Sequence, residues 1–141
     1  MDTSRSAAVR DSTGSESLDF TQARILCIRA VESARMCVKQ TCGDEDMAEC
    51  RSLCEDTATV LEGLVEMLER PYEPHRAVAL RRMIEAGLAT VVECGAACTE
   101  QADESPSCGA CARDCACVAD TLRDLLRDLV DDDVEERSGA T

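Results

Sequence analysis

Apolar residues recur along four stretches of the chain in alternating steps of three and four, the spacing of one inward face of a packed helix. Through the last stretch this seam reads Cys108, Cys111, Cys115, Val118, Leu122, Leu125, Leu129. Through the second it reads Met47, Cys50, Cys54, Thr57, Leu61, Leu64, Leu68. Thiols hold the first half of each seam and leucines the second. The first stretch places Phe20, Ala23, Cys27, Ala30, Ala34 and Cys37 on one face, and the third places Leu80, Ile84, Gly87, Val91, Cys94 and Cys98.

Breakers separate these stretches. The segment from Thr41 to Glu45 carries Gly43 and Asp44, which stop one helix and start the next. Pro71-Tyr72-Glu73-Pro74 ends the second stretch, and Asp103 to Pro106 separates the third from the fourth, with Ser105 or Ser107 as the capping residue. The predicted helices span about 19–39, 46–69, 74–102 and 107–132. An ungapped shift of 61 positions lays Cys37 on Cys98, Cys50 on Cys111, Cys54 on Cys115, Leu61 on Leu122, Leu64 on Leu125, Leu68 on Leu129, and Val31-Glu32 on Val92-Glu93. The chain therefore reads as an αα-hairpin used twice. Short loops force antiparallel neighbours, so the expected fold is all-α, an up-down-up-down four-helix bundle over 18–132. Residues 1–17 read as a disordered N-terminal segment and 133–141 as an acidic disordered tail.

That topology gives the cysteines a place. Cys37 ends the first helix, Cys50 and Cys54 begin the second, Cys94 and Cys98 end the third, and Cys108, Cys111 and Cys115 begin the fourth. All lie at one end of the bundle, with Cys42 in the loop above them. Cys117 falls two residues past a seam position and turns off the seam. Cys27 lies ten residues before Cys37, roughly 15 Å deeper at about 1.5 Å per residue.

Composition sharpens this picture. Phe20 and Tyr72 are the only aromatic residues in 141, so small aliphatics and cysteine must fill the core. The net charge of −14 argues against nucleic acid and anionic membrane surfaces as partners. The polar N-terminal stretch has no apolar run of an export signal, and no run of about 18 apolar residues spans a membrane. The default compartment is the cytoplasm, whose reducing chemistry makes clustered cysteines ligands rather than disulfides. The eleven cysteines are also an odd number, leaving one thiol over in any complete pairing.

Cys50 and Cys54, Cys94 and Cys98, and Cys111 and Cys115 are each one helical turn apart, with Cβ atoms about 5–6 Å apart. Two sulfurs so placed converge on one ion, and the pattern repeats on facing helices. A donor set of thiolates alone favours Cu(I), with zinc and an iron–sulfur cluster as competitors. Zinc sites usually draw on CxxC knuckles, and Cys108–Cys111 is the only such pair. An iron–sulfur cluster would take four thiolates from different helices, such as Cys50, Cys54, Cys111 and Cys115. Disulfides are a further alternative: the Cys27-x9-Cys37 and Cys98-x9-Cys108 spacings resemble twin oxidised hairpins, but the second straddles a loop. Met36 and Met47 read as core filling or as thioether ligands at the mouth, where with Cys42 they would meet an incoming ion first. His75, the sole histidine, lies in the far turn and reads as a surface residue. No nucleophile–base pair, phosphate loop or basic patch is present to support an enzyme.

The run CTEQADESPSCGACARDC from Cys98 to Cys115, preceded by ECGAA from Glu93, resembles the cysteine-rich four-helix-bundle copper-binding family, the copper storage proteins. The resemblance extends over both hairpins, about residues 20–130. It implies several Cu(I) ions held by core thiolates in a cytosolic homo-oligomer, often a tetramer. Cys37, Cys50, Cys54, Cys94, Cys98, Cys108, Cys111 and Cys115 match family-type ligand positions, with Cys27, Cys42 and Cys117 as further candidates. Leu61, Leu64, Leu122 and Leu125 make half of this core aliphatic, which implies a small capacity.

Overall fold

The computed structural model describes residues 19–140, with side chains described for 19–129. The 1–17 segment lies outside the described residues, as do the side chains of the 133–141 tail. Four helices make up the fold: α1 (Thr21–Gln40), α2 (Ala48–Leu68), α3 (Ala77–Gln101) and α4 (Pro106–Ala140). Short 3₁₀ turns at Glu45–Met47 and Pro74–Arg76 lead into α2 and α3. No strand occurs among the described residues. α1 packs on α2 and α4, and α3 packs on α4 and α2, so the helices close a square with α1–α3 and α2–α4 as diagonals. This is the antiparallel up-down-up-down bundle that the loop lengths require. α4 continues to Ala140, eight residues beyond the expected end at Asp132.

Each turn is fixed by its own chemistry. After α1, Thr41 donates through both its backbone N–H and its hydroxyl to the Cys37 carbonyl, at 3.0 and 2.8 Å. Gly43 then takes φ +88, the left-handed conformation that reverses the chain. The Asp44 carboxylate accepts from the Asp46 N–H at 3.0 Å, and Arg51 reaches back from α2 to the carbonyls of Thr41 and Asp44 at 2.6 and 3.1 Å. At the far end Arg76 clamps the α2–α3 turn, donating to the carbonyls of Met67, Arg70 and Pro71 at 2.8, 3.2 and 2.6 Å. Beside it Phe20 meets Tyr72 edge to face, ring centres 6.5 Å apart. The Ser105 hydroxyl accepts from the Cys108 N–H at 3.3 Å, the expected cap of the last helix.

The core is divided as the seams require. Leu61, Leu64, Leu80, Ile84, Leu122 and Leu129 are fully sealed in one half, and Cys37, Cys54, Cys94, Cys98, Cys108 and Cys111 in the other. Each buried leucine contributes on the order of 1.5–3 kcal/mol. Thr57, Val91 and Val118 form the boundary between the halves, all fully or almost fully buried.

The two hairpins are not perfect copies. Val31 is buried whereas Val92, its partner at the 61-residue shift, is exposed. The inward positions of α1 are Ala23, Cys27, Ala30, Ala34 and Cys37, whereas those of α3 are Ile84, Gly87, Val91, Cys94 and Cys98. The steps of three and four run in opposite order along the two helices. The buried position of α1 next to Cys37 is therefore Ala34, where α3 carries Cys94.

Candidate metal centre

Four helix ends converge at the cysteine end, and each contributes sulfur. The upper group is Cys37 from α1, Cys50 from α2, Cys98 from α3 and Cys108 from α4, all Sγ atoms within 4.8 Å of one another. Its closest approaches are Cys37–Cys108 and Cys50–Cys98, both 3.5 Å, and Cys50–Cys108 at 3.9 Å. The lower group is Cys54, Cys94, Cys98 and Cys111, again all within 4.8 Å. Here Cys54 lies 3.6 Å from Cys94, 3.7 Å from Cys98 and 3.9 Å from Cys111, and Cys94 lies 3.8 Å from Cys111. Cys98 belongs to both groups. Cys115 extends the column downward, 4.0 Å from Cys111.

These separations suit a metal. A tetrahedron of thiolates around an ion with metal–sulfur bonds of about 2.3 Å has sulfur–sulfur edges of about 3.8 Å. No nitrogen or carboxylate oxygen enters either group. A donor set of sulfur alone in a closed core selects soft ions.

Burial sets the protonation. It pushes the Cys37 thiol up to about 12, helped by the hydrogen bond to Cys108. Burial also raises Cys50. In the lower group, hydrogen bonding with the neighbouring thiols, Cys111 first, draws the Cys94 thiol below its ordinary value. The same arrangement pushes Cys54 up through Cys111 and Cys94, and Cys111 up through Cys115. Buried thiols packed this closely resist ionisation together unless a cation arrives. Outside the column, the Ser33 hydroxyl donates to the Asp114 carboxylate and ties α1 to α4.

The eight cysteines expected at this end, Cys37, Cys50, Cys54, Cys94, Cys98, Cys108, Cys111 and Cys115, lie in this column. Cys42 and Cys117 are exposed and join neither group. Cys27 is fully buried but also joins neither, and burial alone raises its thiol to about 12. The set Cys50, Cys54, Cys111 and Cys115, named above for a cluster, is not one of the two groups: Cys50 and Cys54 fall into different ones. Sequence spacing missed Cys98 as the residue common to both, because a one-dimensional seam does not show which tier of the opposite helix a sulfur meets. Met47 is buried, whereas Met36 is half exposed and its sulfur accepts from the Gln40 amide at 3.5 Å. His75 is exposed beside Glu73, at the end away from the sulfur column.

No protein-family model and no curated protein matches the chain. Among solved structures it is similar to one described as copper loading to a cytosolic copper storage protein from Streptomyces lividans, with five coppers. The match covers 81% of this chain and 97% of that one, at 20% identity and a TM-score of 0.75. The two share the fold.

Proposed function

We propose that this protein binds and stores Cu(I) in the cytosol through the thiolates of its core, without catalysis. The observation that carries the reading is the pair of four-sulfur groups joined at Cys98, in a closed core with no nitrogen or carboxylate donor. The shared fold with a copper storage protein supports it. Cys37, Cys50, Cys98 and Cys108 would hold one ion and Cys54, Cys94, Cys98 and Cys111 another, with Cys115 adjoining. Each thiol that binds exchanges its proton for the metal, so uptake releases protons and tightens as pH rises. Closure by the surrounding helices keeps the bound ion from water and oxygen. Self-association is part of the same reading, and sedimentation of the loaded and unloaded protein measures it.

The test is an anaerobic titration of reduced, metal-free protein with Cu(I) against a competing chelator. The expected outcome is uptake of at least one ion per sulfur group, with ultraviolet thiolate-to-copper absorption. Replacing Cys54, Cys94, Cys98 and Cys111 together with serine should abolish most of it. A protein isolated brown with iron and sulfide, or one that takes up no Cu(I), overturns the reading.

A further inference from the structure

At the end of the bundle expected to admit the metal, Cys37, Cys98 and Cys108 present no exposed surface. Thr41, Met47 and Ser107, which follow Cys37 and precede Cys50 and Cys108 at that end, are themselves buried. An opening to one sulfur of the upper group lies on the side. Between α2 and α3 runs a cleft of about 390 Å³ lined by Asp46, Glu49, Glu93 and Glu100, with Leu53 and Cys50 among its walls. It holds four carboxylates and no lysine or arginine. Cys50 keeps 4% of its surface exposed, while Cys37, Cys98 and Cys108 of the same group keep none. The α1–α2 clefts, around Ala58 and around Val65, reach no thiol.

From these observations, and resting on the Cu(I) reading above, we infer that the acidic α2–α3 cleft is the port by which the soft cation enters, and that Cys50 is its first acceptor. The carboxylates concentrate a cation at the wall of the core, since a concave surface of one sign raises local counter-ion concentration and on-rate. At Cys50 the S–H bond breaks, a copper–sulfur bond forms, the proton leaves to water through the same cleft, and no electron is transferred. Cys98 at 3.5 Å and Cys108 at 3.9 Å then complete the coordination. Because Cys98 also belongs to the lower group, it can pass the ion inward to Cys54, Cys94 and Cys111.

The experiment is stopped-flow loading of the reduced full-length chain with Cu(I) supplied as its cationic acetonitrile complex. In one variant Glu49→Gln, Glu93→Gln and Glu100→Gln remove charge from the cleft without touching a thiol. In a control, Glu32→Gln, Glu55→Gln and Glu66→Gln remove the same charge from the α1–α2 side. The cleft variant should load roughly tenfold more slowly at low salt, with a weaker salt dependence and an unchanged final copper count. The control and Cys42→Ala should stay within about twofold of wild type, well inside the range that steering spans. With Cu(I) delivered from an anionic chelate, the cleft variant should load faster than wild type, a reversal that structural damage would not give. Normal equilibrium uptake with equal rates in the two glutamine variants, or slowing by Cys42→Ala alone, overturns the port and leaves the storage reading intact. A wild-type protein that binds no Cu(I) at equilibrium overturns both.

Discussion

A single sulfur decides whether the thiol column behaves as two sites or one. Cys98 is the only member common to both groups, so Cys98→Ser leaves each with three sulfurs. It should remove more Cu(I) capacity than any other single substitution, whereas Cys27→Ser should cost at most one ion. Chelator competition reads both, and equal losses would mean that the groups do not share a ligand. Cys27 also makes a pH prediction. Burial raises its folded pKa to about 12 from 9.0, so the folded chain holds this proton more tightly than the unfolded one. Its neutral thiol contributes stability that is full below pH 9 and is lost as pH rises toward 12. The stability difference between wild type and Cys27→Ala, measured by denaturant unfolding of the metal-free protein, should therefore shrink across that window. Thr57 offers the opposite case. Its hydroxyl is buried with no hydrogen-bond partner, and the second hairpin carries Val118 at the same position of the repeat. Thr57→Val should stabilise the metal-free protein by about 1 kcal/mol, the cost of a buried unpaired hydroxyl. A loss of stability would mean that the hydroxyl has a bound partner.

At the scale of the helix, the seam separates fold from function within one element. α2 and α4 each begin in sulfur and pass through Thr57 or Val118 into leucine, so the two jobs fall on different turns of one rod. Leu122→Ala should cost about 2–5 kcal/mol by opening a cavity in a sealed layer, with copper capacity unchanged per folded molecule. Unfolding midpoints beside copper counts check both halves, and a matching fall in capacity would show that the leucine layer shapes the site. The element pattern was legible in the sequence because steps of three and four report burial directly. Cys50, Cys54, Cys111 and Cys115 were found that way, as was the common end at which they meet. What the pattern could not show was which sulfurs share a tier across the core, with Cys98 in both groups. α1 and α3 run their steps in opposite order, so the repeat that pairs Val31 with Val92 places one inside and the other outside. That phase difference gives α1 one sulfur in the column, Cys37, against two from α3, Cys94 and Cys98. Side-chain tiers across a core depend also on the relative height of the helices, which a single chain's periodicity does not record.

The whole molecule is polarised, with an aliphatic half that can hold four helices together and a sulfur half that can hold ions. Stability should be distributed in the same way, because local opening follows the density of buried apolar contact. The metal-free protein is therefore expected to be strongly helical, unlike small metal-dependent folds whose binding energy is their folding energy. Circular dichroism of the reduced apo-protein tests that, and a random-coil spectrum would sink it. Hydrogen exchange tests the division itself. Without metal, backbone amides across 58–68, 80–91 and 118–129 should exchange slowly, and those across 37–54 and 94–115 faster. Loading with Cu(I) stabilises only states in which the thiols are assembled. Protection should therefore rise most at 37–54 and 94–115, while the leucine half gains only through slower global unfolding. Uniform protection before loading, or a uniform gain after it, would show that the two halves open as one unit and that copper is a structural part of the whole bundle.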